Sequence, residues 1–205
     1  EFIPVAESIG IYEEIDLWVI ERAFLESDRL GKRFGEDIRI SINISAAELG
    51  REDFVDKVME LVAYHKIDPS MFTIEITETF YQDYSASSGA LFLKMLSDAG
   101  FQLAIDDLGS GYSSLVQLVE FPISMVKFDR ELIQKTLEST NDRLLRSLVE
   151  FCHVQELLIT AEGVEDETIG RMLANVGCDY LQGYGYSPPV PLEDALALPV
   201  VLPPE

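Results

Sequence analysis

The chain alternates two hydrophobic periods from end to end, and that alternation restricts its fold more than any single residue does. Over residues 13–34 apolar positions recur at three-and-four spacing, so that Ile15, Trp18, Val19, Arg22 and Leu25 share one helix face. Residues 38–44 then read as a strand. Residues 53–65 are helical, with Asp53 as N-cap and Phe54, Val58, Leu61 and Val62 on one face. A strand over 72–77 precedes a helix over 87–99, which Gly100 closes as its C-cap. The strand over 101–105 runs into a Gly-rich turn and a short apolar helix from Ser113. Strand 124–128 precedes helix 142–153, strand 157–161 precedes helix 167–176, and strand 180–184 precedes helix 192–198. Six strands, each followed by a helical segment, predict a parallel α/β sheet. Trp18, Met125 and the phenylalanines are assigned to its core.

The strand ends discriminate between the two parallel architectures. Asn43 ends the first strand, Glu75 lies late in the second, and Asp106 and Asp107 close the third. Lys127 sits in the fourth, Glu162 just past the fifth, and Gln182 in the sixth. A doubly wound sheet gathers function at one switch point, whereas a barrel aims the C-terminal end of every strand at one mouth. A polar residue near all six ends predicts a TIM-like (β/α) barrel. About six of the usual eight βα units are present, so the first strands are expected upstream of Glu1. An open six-stranded sheet with two edges to protect is the alternative. One domain over residues 1–197 is expected, followed by a Pro-rich tail over 198–205.

Charge narrows the partners. With 15 Lys and Arg against 37 Asp and Glu, the net charge is −22, and no local basic cluster offsets it. Such a surface repels polyanions, so DNA and RNA are excluded as partners. An anionic substrate then requires something positive in its site, most simply a metal ion. At 47% hydrophobic the chain can bury a core, so disorder is excluded. No run approaches the length and apolarity of a membrane-spanning helix. Cys152 and Cys178 have neither metal nor redox spacing and read as two buried thiols of a reducing compartment, although the count also allows one disulfide. His65 and His153 fall near helix ends and read as surface groups there.

Converging at a barrel mouth, Glu75, Asp106, Asp107 and Glu162 would meet Asn43 and Lys127. Two bare carboxylates about 4 Å apart repel by roughly 4 kcal/mol at an effective dielectric near 20. Such a cluster must take up protons or hold cations. Oxygen donors without Cys or His select hard ions, Mg²⁺ or Mn²⁺, with Ca²⁺ as a substitute or inhibitor. Adjacent aspartates allow one to bridge two ions while its neighbour binds one, and such a pair of ions activates water against a phosphodiester. Taken singly, each acid also reads as a helix N-cap or a solvated loop charge. Lys127 also reads as a strand lysine reaching for the surface.

The residues resemble a known family. Asn43-Ile44-Ser45, Glu75-Ile76-Thr77-Glu78-Thr79 and Asp106-Asp107-Leu108-Gly109-Ser110-Gly111-Tyr112-Ser113-Ser114 are similar to motifs of the EAL domain. So are Lys127-Phe128-Asp129, Ala161-Glu162-Gly163-Val164-Glu165 and Gln182-Gly183-Tyr184. Leu108 and Ser110 depart mildly from that family's usual Phe and Thr, and its naming Glu-Ala-Leu tripeptide is expected upstream of Glu1. The resemblance implies a TIM-like barrel with one antiparallel strand, and a two-metal site that hydrolyses cyclic di-GMP to linear pGpG. Asn43, Glu75 and Asp106 resemble ligands of one metal, and Asp106 and Asp107 ligands of the second. Lys127 and Glu162 resemble the residues that position the attacking water and its metals, Glu162 as a further ligand, and Gln182 a catalytic-site residue. Glu78 resembles the anchor of the loop over 107–114, which in the family also serves a homodimer. The resemblance further implies a bacterial signalling protein in the cytoplasm, free or as part of a membrane receptor, with a sensory or GGDEF domain upstream. A catalytically inactive receptor or interaction module for cyclic di-GMP is the alternative.

Overall fold

A computed structural model describes residues 10–35, 37–45, 48, 51–77, 87–109, 117–138 and 142–199. Helix α1 (Tyr12–Phe34) leads to β1 (Ile40–Asn43), α2 (Glu52–His65), β2 (Phe72–Thr77) and α3 (Ser87–Asp98). Next come β3 (Gln102–Leu108), α4 (Gln117–Glu120), β4 (Met125–Phe128), α5 (Arg130–Glu138) and α6 (Arg143–Val154). The chain continues through β5 (Leu158–Ala161), α7 (Glu167–Val176), β6 (Tyr180–Leu181) and α8 (Leu192–Ala197). The strands lie side by side in chain order, and all five pairings are parallel. This is the curled α/β sheet of a partial TIM-like barrel. No antiparallel strand occurs among the described residues, and neither β1 nor β6 has a second strand partner there.

Strand alternation sorts the two faces of the sheet. Ile42, Phe72, Ile74, Ile76, Leu103, Ile105, Val126, Phe128 and Ile159 are buried and join the core that α1, α2, α3 and α6 cover. Residues one step out of phase, such as Ser41, Asn43, Thr73, Glu75, Asp106, Lys127 and Thr160, face the opposite side. Thr160 Oγ1 reaches Met125 Sδ across that side at 3.4 Å. Strands β1 to β5 thus present hydrocarbon to the helices and polar atoms to the concave face.

Several local expectations change. On α1 the buried positions are Ile20, Phe24 and Ser27, so the face carrying Trp18 and Leu25 points outward. Trp18 is 64% exposed and lies outside the core; Met125 is half-buried. Both stripes have helical spacing, and the sheet takes the one whose Phe24 packs on Phe72, with ring centroids 4.8 Å apart. The N-cap of α2 is Arg51, which makes no side-chain cap, and Asp53 in the first turn pairs with it at 2.8 Å. Helix α5 was not legible, because Asp129 and the polar run after it mask the single buried stripe of Ile133 and Thr136. Cys152 and Cys178 are buried free thiols. His65 and His153 sit in the last turns of α2 and α6, bonded to Glu21 and Asp179. The C-terminal segment is hooked back to α1: Arg29 grips Glu193, and Arg33 donates to the Leu196 and Leu198 carbonyls.

Candidate functional site

Register gathers the polar strand ends. Asn43 pairs with Glu75 across β1 and β2, and Thr77 with Asp106 across β2 and β3. Lys127 pairs with Thr160 across β4 and β5, and the Glu162 amide donates to the Phe128 carbonyl at 3.0 Å. Each pairing fixes one polar side chain beside the next along the concave face.

Lys127 is the hub. It is 3% exposed and does not reach for solvent. Its ammonium lies 2.8 Å from Glu75, 3.1 Å from Asp106 and 2.7 Å from Glu162. Burial alone would lower its pKa, but the hydrogen bonds to Glu162 and Glu75 and the surrounding negative charge raise it above the usual lysine range. The ammonium is therefore fixed as a cation. Glu162 is pushed upward by burial, against the opposing pull of Lys127.

Adjacent strand residues normally face opposite ways, which would separate Asp106 from Asp107. A register shift prevents that. Ile105 pairs with Val126, but the next pair is Leu108 with Phe128, so β3 carries one residue more than β4 across this step. Asp107 takes φ 58°, in the left-handed region that non-glycine residues rarely occupy. As a result Asp106, Asp107 and Glu162 each offer a carboxylate oxygen within 4.8 Å of the others. Gly109 follows at φ 105°, where an added Cβ would stand 2.8 Å from Leu132 on α5. The helix that the sequence concealed thus presses against the stem of this loop.

Asn43 is exposed at the open end of β1, and the next amide, Ile44, donates to the Glu75 carbonyl at 3.1 Å. Gln182 is brought to the mouth by its backbone, its carbonyl accepting from Val164 at 3.1 Å, while its side chain is exposed. Gly183 is required there, because a Cβ would come within 2.3 Å of the Val164 backbone. Glu78 and residues 110–114 lie outside the described residues.

Three carboxylates thus surround one ammonium, a fourth from Asp107 stands within 4.8 Å of those of Asp106 and Glu162, and the donors are all oxygen. The Asp106, Asp107 and Glu162 group fits a hard divalent cation, since Lys127 balances only one of the four charges. Side-chain pairing around Lys127 is not visible in the sequence, although polar residues at the same phase of β2, β3 and β4 signal a shared face.

Comparison with known proteins places this arrangement. The model of the EAL domain matches residues 1–189. The biofilm architecture maintenance protein MbaA of Vibrio cholerae is 39% identical over 194 residues, 95% of this chain and 24% of MbaA. The bifunctional diguanylate cyclase/cyclic di-GMP phosphodiesterase MucR of Pseudomonas aeruginosa is 36% identical over 200 residues, 96% of this chain and 29% of MucR. The chain therefore spans less than a third of either relative's length. A solved structure of the MucR phosphodiesterase in complex with c-di-GMP aligns with a TM-score of 0.86 at 32% identity, covering 95% of this chain and 78% of that one. With that match over most of its length, the chain belongs to the EAL domain family.

Proposed function

We propose that this chain carries the greater part of a metal-dependent phosphodiesterase that hydrolyses cyclic di-GMP to linear pGpG. The observation that carries the reading is the convergence of Glu75, Asp106 and Glu162 around Lys127, with Asp107 grouped beside Asp106 and Glu162. Asn43, Glu75, Asp106, Asp107 and Glu162 are the residues that would hold Mg²⁺ or Mn²⁺. When bound, such ions supply an activated water and neutralise phosphate charge. Glu162 and Lys127 hold each other at 2.7 Å, which fixes both where the attacking water must be oriented. Lys127, kept cationic by its neighbours, meets the charge that develops on the phosphate oxygens. Water's oxygen bonds to phosphorus as the bond to the ribose 3′ oxygen breaks, that oxygen takes up a proton and leaves as the 3′ hydroxyl, and the linear dinucleotide keeps its 5′ phosphate. Gln182 contributes from the rim of the mouth.

The reading extends to a homodimer through the loop over 107–114, to sensory or GGDEF domains elsewhere in the polypeptide, and to a cytoplasmic location. The test is incubation of the chain, and of its full-length parent, with cyclic di-GMP and Mn²⁺ or Mg²⁺, followed by chromatography of the nucleotides. The full-length parent should form pGpG in a reaction that stops with chelator and is suppressed by Ca²⁺, and the 205-residue chain alone should form little. Undiminished hydrolysis in excess chelator overturns the metal requirement. Tight binding of cyclic di-GMP by the full-length parent without turnover replaces the enzyme by a receptor.

A further inference from the structure

Two glycines follow the clustered acids, and one helix presses on both. Gly109 comes two residues after Asp107, and Gly163 comes directly after Glu162. Both have positive φ, 105° and 67°. A Cβ on Gly109 would stand 2.8 Å from Leu132 Cβ, and one on Gly163 would stand 2.7 Å from Arg130 Cβ and 2.8 Å from its Cγ. Arg130 and Leu132 both belong to the first turn of α5. Two residues apart, they stand about 200° apart around the helix axis, so the two contacts fall on opposite sides of it. Between them, Ile133 and Thr136 are buried and seat the helix in the core. Strand order explains the placement: β4 lies between β3 and β5, so the helix that follows β4 emerges between the loops that follow its neighbours. Backbone bonds tie its start to both. The Asp129 amide donates to the Leu108 carbonyl at 3.3 Å, and the Phe128 carbonyl accepts from the Glu162 amide at 3.0 Å. The Asp129 carboxylate in turn accepts from the Glu131 amide at 2.8 Å and pins the first turn.

We propose that Arg130 and Leu132 are positioning residues, a hydrocarbon spacer that sets the gap between Asp106 and Asp107 on one side and Glu162 on the other. The inference rests on the reading of those three carboxylates as a metal site. Charge alone does not fix that gap. The carboxylates repel one another, while Lys127 draws Asp106 and Glu162 to 3.1 and 2.7 Å. Close-packed carbon does fix it, because contacts this tight leave neither loop room to move inward. The glycines are what allow the approach. Arg130 also pairs with Glu165 at 2.6 Å, but the two side chains are 51% and 55% exposed, and a surface pair of that kind contributes little. The stem of Arg130, rather than its charge, is therefore the spacer. Small divalent ions demand near-ideal ligand placement, so a modest widening or closing of the gap is felt as lost affinity.

The test uses the full-length parent, with Mn²⁺ binding followed by calorimetry and cyclic di-GMP turnover by chromatography. Leu132→Ala and Arg130→Ala should each weaken Mn²⁺ binding by about tenfold, as loss of a group that orients a ligand does. Both should lower kcat and leave KM unchanged. Leu132→Met and Arg130→Met, which put the carbon back, should restore affinity and turnover. Val149→Ala, which truncates a buried residue of α6, should lower the melting temperature without changing Mn²⁺ affinity. Unchanged Mn²⁺ affinity in either alanine variant overturns the proposal. So does an equal loss in Arg130→Met and Arg130→Ala, which assigns the role to the pair with Glu165. A raised KM with Mn²⁺ affinity intact puts Arg130 on the substrate and also overturns it. An equal loss in Val149→Ala assigns the effect to general loosening and does the same. A parent that binds Mn²⁺ without hydrolysing cyclic di-GMP removes only the phosphodiesterase reading, and the calorimetry still decides the roles of Arg130 and Leu132.

Discussion

Lys127 and Glu48 are both sealed from water, at 3% and 0% exposure, yet the fold treats their charges in opposite ways. Lys127 has three carboxylates within 3.1 Å, delivered by β2, β3 and the turn after β5. Glu48 lies between β1 and α2, and among the described residues neither of its carboxylate oxygens has a hydrogen-bond partner. Arg51 approaches it to 3.6 Å but is committed to Glu13 and Asp53 at 2.9 and 2.8 Å. Burial is therefore the leading influence on Glu48, Arg51 opposes it, and Glu13, Asp16 and Asp53 add to it, so its carboxyl is pushed up to about 7. The contrast shows that burial does not by itself decide whether a charge survives. Convergent strand ends keep one at the mouth, and an isolated position replaces it with a proton.

The largest effect should come from removing the hub. Lys127→Met keeps the length of the side chain but leaves Glu75, Asp106 and Glu162 without their shared cation. Breaking a buried pair by deleting one partner costs about 3–5 kcal/mol. The variant should unfold at lower urea concentration at neutral pH and recover as the pH is lowered and the carboxylates protonate. Millimolar Mg²⁺ or Mn²⁺ should also restore part of the loss, because those acids then gain a cation. Urea titrations with and without metal give the answer; an unchanged midpoint would mean that the carboxylates do not depend on Lys127.

Much of this was legible in the sequence, for physical reasons that the same residues explain. Their places near the C-terminal ends of parallel strands put Glu75, Asp106 and Lys127 at one mouth, because a barrel aims every strand end there. Their mutual contacts depend on register across three strands, which no local pattern encodes. The outward turn of Trp18 was misread, since α1 carries two apolar stripes and only the sheet decides which is buried. Helix α5 was missed because a short helix with one narrow buried stripe has almost no periodic signal. Glu48 passed unnoticed: a glutamate among Ala47, Leu49 and Gly50 gives no sign of complete burial.

The other half of the comparison is tested at Glu48. A carboxyl whose folded pKa lies above its ordinary value of 4.5 takes up a proton on folding. Its stabilising contribution is complete below that ordinary value and is lost as the pH rises through about 7. Glu48→Gln removes the titration while keeping the shape. Relative to the parent it should gain stability on the order of 2 kcal/mol above neutrality, with the difference vanishing in acid. Thermal melts of the two proteins across that range measure it, and parallel pH profiles would show that Glu48 is not what titrates.

A smaller effect separates backbone from charge at the mouth itself. Asp107 has to be both a carboxylate and a residue at φ 58°, and the two requirements can be divided by substitution. Asp107→Gly removes the carboxylate but suits the left-handed backbone. Asp107→Ala removes the same carboxylate and keeps a Cβ where L residues are strained. Both should lose metal binding and hydrolysis together, because the group of Asp106, Asp107 and Glu162 falls from three donors to two. Only their stabilities should differ. Left-handed backbone costs an ordinary residue roughly 1–2 kcal/mol, and glycine's greater freedom when unfolded returns part of that. The glycine variant should therefore be the more stable by about 1 kcal/mol. Equal unfolding midpoints would mean that the chain relaxes out of the left-handed conformation once the carboxylate is gone. In that case the bulge after Ile105 would be held by the charge of Asp107, and not by the Leu108 pairing with Phe128.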